Sequence, residues 1–154
     1  MSEVELKVFP AYRQAIRDFL AEFRYGDLVS HEWLENHFGM LSLGDSQRMT
    51  AEAFRERQFA WLAAIEAFKA ELLRDHQVLL QSVRGQGYRW APPAEQTGIA
   101  TKDFERDAKR AFKSAGQRLR HVRSDELTDE QRREHSDAVA KISILRGMTQ
   151  KALR

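Results

Sequence analysis

The sequence predicts a mainly α protein with one β-hairpin, followed by a C-terminal helical hairpin. Three observations carry this. Apolar residues recur at three- and four-residue spacing over most of the chain. A single pair of strand-forming runs surrounds the glycines of VLLQSVRGQGYRW, residues 78 to 90. Thr128 and Gln131 form a capping-box pattern that opens a last helix. At 154 residues and 42% hydrophobic content, the chain is large enough for a core and fits one ordinary domain or a small domain with an appendage. The boundary is expected between a domain of residues 1–97 and a basic helical hairpin of residues 98–154.

The first helix is expected from about Tyr12 to Arg24, where Ile16, Leu20 and Phe23 repeat at helical spacing, with Gly26 ending it. Ser30 is placed to cap a short helix over His31 to His37, with Glu32 in its positive first turn and Gly39 as its stop. After the turn-like LSLGDSQR, Thr50 caps a long helix reaching Arg74 or His76. Along it Phe54, Gln58, Trp61, Ile65, Phe68 and Leu72 form one stripe. Phe59, Leu62 and Leu73 widen that stripe, so the helix is expected to be central and gripped on more than one side.

Next, Val78 to Arg84 alternates in side-chain character, GQG supplies residues tolerant of positive φ, and Tyr88 and Trp90 fall on one face of the return strand with Arg89 on the other. Pro92 and Pro93 end that strand. EQTGIAT is expected to be a short linker. The remainder reads as two helices, with stripes Phe104, Ala108, Ala111, Ala115, Leu119, Val122 and Ala138, Ile142, Leu145, Met148. Such a pair cannot bury both stripes alone, so it packs on the preceding domain, on a second copy or on a foreign protein.

Helix, short helix, long helix, hairpin is the connectivity of a winged helix-turn-helix, in which the hairpin is the wing. VRGQGYRW closely resembles the VRGxGYR wing signature of the OmpR/PhoB-type response-regulator DNA-binding domain. GDLVSHEWLENHFG is similar to the second-helix segment of that family. The two motifs occur in the right order and cover about residues 26–90. The resemblance implies a winged helix that sets the helix before the wing in the major groove of double-stranded DNA, with the wing on an adjacent minor groove or phosphate. No receiver domain is present in the sequence, so no phosphoacceptor aspartate carries over. Where the family has a small N-terminal sheet, this chain reads as a helix.

Charge locates the partner surface. Net charge is only +2, but residues 1–97 carry 11 basic against 14 acidic side chains and residues 98–154 carry 14 against 9. Arg106, Lys109, Arg110, Lys113, Arg118, Arg120 and Arg123 face a single acid, Asp107, a run that reads as a phosphate-attracting surface or a solvated helix face. The expected nucleic-acid contacts are Arg48, Arg55, Arg57 and Gln58 near the long helix, Arg84, Gln86 and Arg89 at the wing, and Lys109, Arg110 and Lys113 beyond it. Ser46 and Gln47 add polar groups beside Arg48. Tyr88 and Trp90 offer stacking surfaces, and Trp90 is assigned to the core.

Catalysis finds little support. HEWLEN lacks the second histidine of a zinc helix, because Glu35 occupies its position, and neither a phosphate-cradling GxxxxGK[ST] loop nor a GxSxG elbow occurs. No enzyme activity, metal or cofactor is expected. The absence of cysteines fits a reducing cytoplasm. MSEVELKVFP lacks the features of a secretory signal, and no run approaches the about 18 apolar residues of a membrane span. Two function classes remain. One is a small double-stranded DNA-binding transcriptional regulator, dimeric and of phage or mobile-element type. The other is a protein-binding inhibitor or adaptor that uses a winged-helix scaffold to engage a host factor such as RNA polymerase.

Overall fold

The computed structural model describes residues 11–40 and 49–154. The chain is mostly helical, with five α-helices and a small antiparallel sheet among the described residues. It divides into two compact units, residues 1–96 and 97–154.

In the first unit, α1 (Ala11–Glu22) buries Ala15, Ile16 and Phe19, the positions one turn apart on a single face. Gly26 turns the chain at φ 85, and the Gly26 amide donates to the Trp90 carbonyl at 2.8 Å. That bond starts a pairing absent from the sequence expectation: β1 (Leu28–Ser30) lies antiparallel to β3 (Gly87–Trp90). β3 also pairs with β2 (Leu80–Val83), giving the strand order β1-β3-β2. Three residues are too few to show alternation, so β1 exists through its neighbour rather than through its own propensity.

The close approach of β1 explains a glycine. A Cβ at Gly87 would collide with the Val29 carbonyl oxygen and lie 2.9 Å from Ser30 Cα. Only a residue without a side chain lets the two strands meet there.

α2 (His31–His37) and α3 (Ala51–His76) lie where their caps predict. Ser30 Oγ accepts from the Trp33 amide at 3.1 Å, and Thr50 Oγ1 accepts from the Ala53 amide at 3.1 Å. The core of this unit joins Phe19, Val29, Leu34, Ile65, Phe68, Leu72 and Val78. Aromatic pairs knit it: Phe19 meets Phe68 at 5.8 Å and Trp90 at 5.1 Å, and Phe38 meets Phe68 at 5.5 Å. Trp90 therefore belongs to the core margin.

α3 departs from its expected role. It buries one stripe, Ile65, Phe68 and Leu72, while Phe59 is 70% and Leu62 53% exposed; Phe54 and Leu73 are also exposed. The first unit covers only one side of the helix, so the wide apolar face is not closed from a second direction among the described residues.

α4 begins at Pro93 and runs to Arg120, so EQTGIAT is helix and not a linker. Pro93 occupies the first helical position, where its missing N–H costs nothing and its fixed φ suits the turn; one glycine among helix-tolerant residues does not stop the run. A 3-10 turn, Ser124–Glu126, leads to α5 (Asp129–Ala152). The Thr128–Gln131 capping box is formed in both directions, at 3.2 and 3.0 Å. Neither α4 nor α5 buries a residue fully. Phe104 and Val122 on the first expected stripe, and Leu145 and Met148 on the second, are exposed. Phe112, outside the expected stripes, is half-buried instead.

Candidate functional site

The β2–β3 hairpin, the expected wing, is the first place where the expected residues gather. Between β2 and β3 the chain turns through Arg84, Gly85 at φ 75 and Gln86, with the Gln86 amide donating to the Val83 carbonyl at 3.0 Å. The Gln86 carbonyl in turn accepts from the His31 amide at 3.3 Å, tying the tip to the start of α2. Arg84 and the Gln86 side chain are exposed, and among the described residues Arg84 has no ion-pair partner within 4.0 Å.

Arg89 is differently engaged. Its guanidinium meets the Glu95 carboxylate of α4 through two hydrogen bonds, Nη1 to Oε2 at 2.7 Å and Nη2 to Oε1 at 3.3 Å. The hydrogen bond, with Coulomb attraction adding to it, raises Arg89 above and lowers Glu95 below its ordinary pKa, against a smaller opposing effect of desolvation. Its charge is satisfied within its own chain, leaving the wing with Arg84 as its free cation among the described residues.

On α3, Arg55 and Gln58 are exposed in the first turns, with Glu52 and Glu56 beside them. Arg57 faces the other way. It reaches Glu35 of α2 at 3.4 Å with its side chain 14% exposed, so it braces two helices and does not face solvent. Arg48, with Ser46 and Gln47, lies outside the described residues.

The return strand is fixed beside α3 by rings. His31 sits edge-on between Trp61 at 5.9 Å and Tyr88 at 5.7 Å, and Lys69 Nζ lies 5.5 Å from the Tyr88 ring centre. Burial, with Glu66 adding, pushes the Tyr88 hydroxyl pKa up. Tyr88 is thus occupied by its neighbours, and the first histidine of HEWLEN acts as a ring contact. Among the described residues no three His, Cys, Asp or Glu side chains come together as metal ligands would.

No family model, curated protein or solved structure matches this chain.

The second gathering lies in residues 97–154. Lys109, Lys113 and Arg120 of α4, Arg146 of α5 and Arg154 just beyond it line a groove of about 780 Å³, in which Glu105 is the one acidic side chain. None of these five cations has an ion-pair partner among the described residues; Arg106, Arg123 and Arg132 do, with Asp103, Asp107, Glu126 and Asp129. Arg110 is exposed but does not line the groove.

Of the expected contacts in this unit the structure brings Lys109 and Lys113 together and leaves Arg110 apart. Arg146 and Arg154 were not singled out by sequence. Arg146 lies in the last turns of α5 and Arg154 just past its end, and nothing in their local context shows that α4 supplies the opposite wall.

No helix among the described residues is long and apolar enough to cross a membrane.

Proposed function

We propose that the chain is a double-stranded DNA-binding regulator acting in the cytoplasm, whose first unit is a winged helix and whose second unit adds positive charge. The observation that carries the reading is the exposed Arg84 tip, held by the Gln86 carbonyl beside α2 and by the His31–Trp61–Tyr88 contacts beside α3. A loop cation and the polar first turns of a long helix, Arg55 and Gln58, are the parts such a protein needs for backbone and base contacts respectively. The order of elements and the VRGQGYRW resemblance support the same reading. Selection from randomised duplexes, followed by titration at low and high salt, tests it. A preferred sequence, with affinity falling steeply as salt rises and falling on every sequence in Arg84→Ala, is the expected result. Absence of duplex binding at low salt overturns it.

The regulator is proposed to act as a homodimer. On α4, Phe104 and Ala111 share a stripe across the helix from Lys109, Lys113 and Arg120; on α5, Met148 lies across from Arg146. A second copy carries the same positive charge, so covering these apolar residues with the cationic sides turned outward avoids like-charge repulsion.

A second reading has its own observation. The exposed Phe59 and Leu62, flanked by Glu56 and Glu66, suit α3 to engage a host protein such as RNA polymerase. Phe59→Asp abolishes partner capture under this reading; unchanged capture in that variant, with duplex affinity lost in Arg84→Ala, supports the regulator.

A further inference from the structure

We propose that the groove lined by α4 and α5 binds the phosphodiester backbone of nucleic acid, as a second contact site separate from the wing. The inference rests on the DNA-binding reading above and specifies where most of the phosphate charge is met. The first unit cannot meet it: residues 1–97 are net acidic, and Arg57 and Arg89 are paired internally.

In the groove, by contrast, five cations surround one carboxylate. Like charges crowded along one channel repel, and bound polyanion relieves that repulsion while releasing condensed counterions from its own backbone. The spacing favours a polymer over a single small anion. Lys109, Lys113 and Arg120 are spread over roughly 16 Å of helix, too far to converge on one phosphate. A strand carrying one charge about every 3.4 Å of axis presents several along that distance. Three of the five cations are arginines, whose forked donors fit phosphate oxygens in pairs. Gln117 and Gln150, also lining the groove, add neutral donors of the kind that contact backbone oxygens. The volume, about 780 Å³, is that of a site for a drug-sized molecule. It therefore takes a short stretch of one strand, whether free or part of a duplex, and reads no base sequence.

The test uses the full chain and its Lys113→Ala/Arg146→Ala/Arg154→Ala variant, with a mixed-sequence duplex and the matching single strand as probes across a range of salt. The variant is expected to bind both probes about tenfold or more weakly at low salt, and the magnitude of its log–log salt slope is expected to fall by roughly 2 to 3. Its ratio of affinities for selected and scrambled duplexes stays unchanged. The conservative Lys113→Arg retains binding, and circular dichroism of the triple variant confirms that the helices persist.

An unchanged salt slope, or a loss confined to one sequence, overturns the proposal. So does a triple variant that loses binding to a polyglutamate peptide but keeps its oligonucleotide affinity, since the groove then serves an acidic protein. Failure of the regulator reading looks different: Arg84→Ala has no effect and no duplex is preferred, while the triple variant still loses the single strand.

Discussion

Arg89 and Glu95 clasp one another through two hydrogen bonds, 2.7 and 3.3 Å long, joining the return strand of the wing to the first turn of α4. The pair takes a cation away from the wing surface. Arg84→Ala is therefore expected to weaken DNA binding more than Arg89→Ala does, although the two arginines flank the same turn. Anisotropy titrations of both variants on one duplex check this, and equal losses would return Arg89 to the contact surface.

The same clasp makes part of the stability depend on pH. Glu95 is lowered from its ordinary value by Arg89. Its contribution is therefore complete above the usual carboxylate range and disappears as pH falls through the depressed value. Arg89 is raised, so its half of the linkage is present throughout the neutral range and is lost only in strong alkali. Glu95 is exposed and Arg89 partly so, and solvent screening keeps the effect small. In urea unfolding, the difference in midpoint between the parent protein and Glu95→Gln is expected to shrink on acidification; a constant difference would mean that the clasp does not form in solution.

Two glycines of the wing respond differently to alanine. At Gly87 the new methyl group meets the Val29 carbonyl, so β1 must leave the sheet, with a loss of more than about 2 kcal/mol. At Gly85 nothing lies within 4 Å and only the positive φ opposes a side chain, a cost of about 1 kcal/mol. Chemical unfolding of both variants gives the order directly.

Phenylalanines on opposite sides of α3 diverge as well. Phe68 is fully buried against Phe19 and Phe38, and Phe68→Ala is expected to cost about 3–5 kcal/mol. Phe59→Ala should fall within about 0.5 kcal/mol of the parent. A large loss at Phe59 would mean that something covers α3 in solution.

Leu145→Glu with Met148→Glu places charge on the exposed apolar side of α5. Analytical ultracentrifugation is expected to show a dimer for the parent chain and a monomer for this variant. A parent chain that sediments as a monomer removes the homodimer from the proposal.

Much of the fold was legible because its signals are local. Ser30, Thr50 and the Thr128–Gln131 pair each mark a helix start through hydrogen bonds spanning three residues, and all four bonds are formed. What escaped was non-local. β1 depends on Gly87, far along the chain, and the partners of Arg57 and Arg89 sit on other elements. Charge counted along one helix shows a basic run, yet cannot show which cations a distant carboxylate has already claimed. The same holds for α3, where apolar spacing predicted contact on more than one side and the packing supplied only one among the described residues.

The bond from the His31 amide to the Gln86 carbonyl makes α2 a listener at the wing. A ligand that steadies the tip steadies the Gln86 carbonyl with it, and that carbonyl is the acceptor for the first amide of α2. Occupancy at the loop should accordingly slow deuterium uptake at His31, an echo at a position that itself touches no ligand.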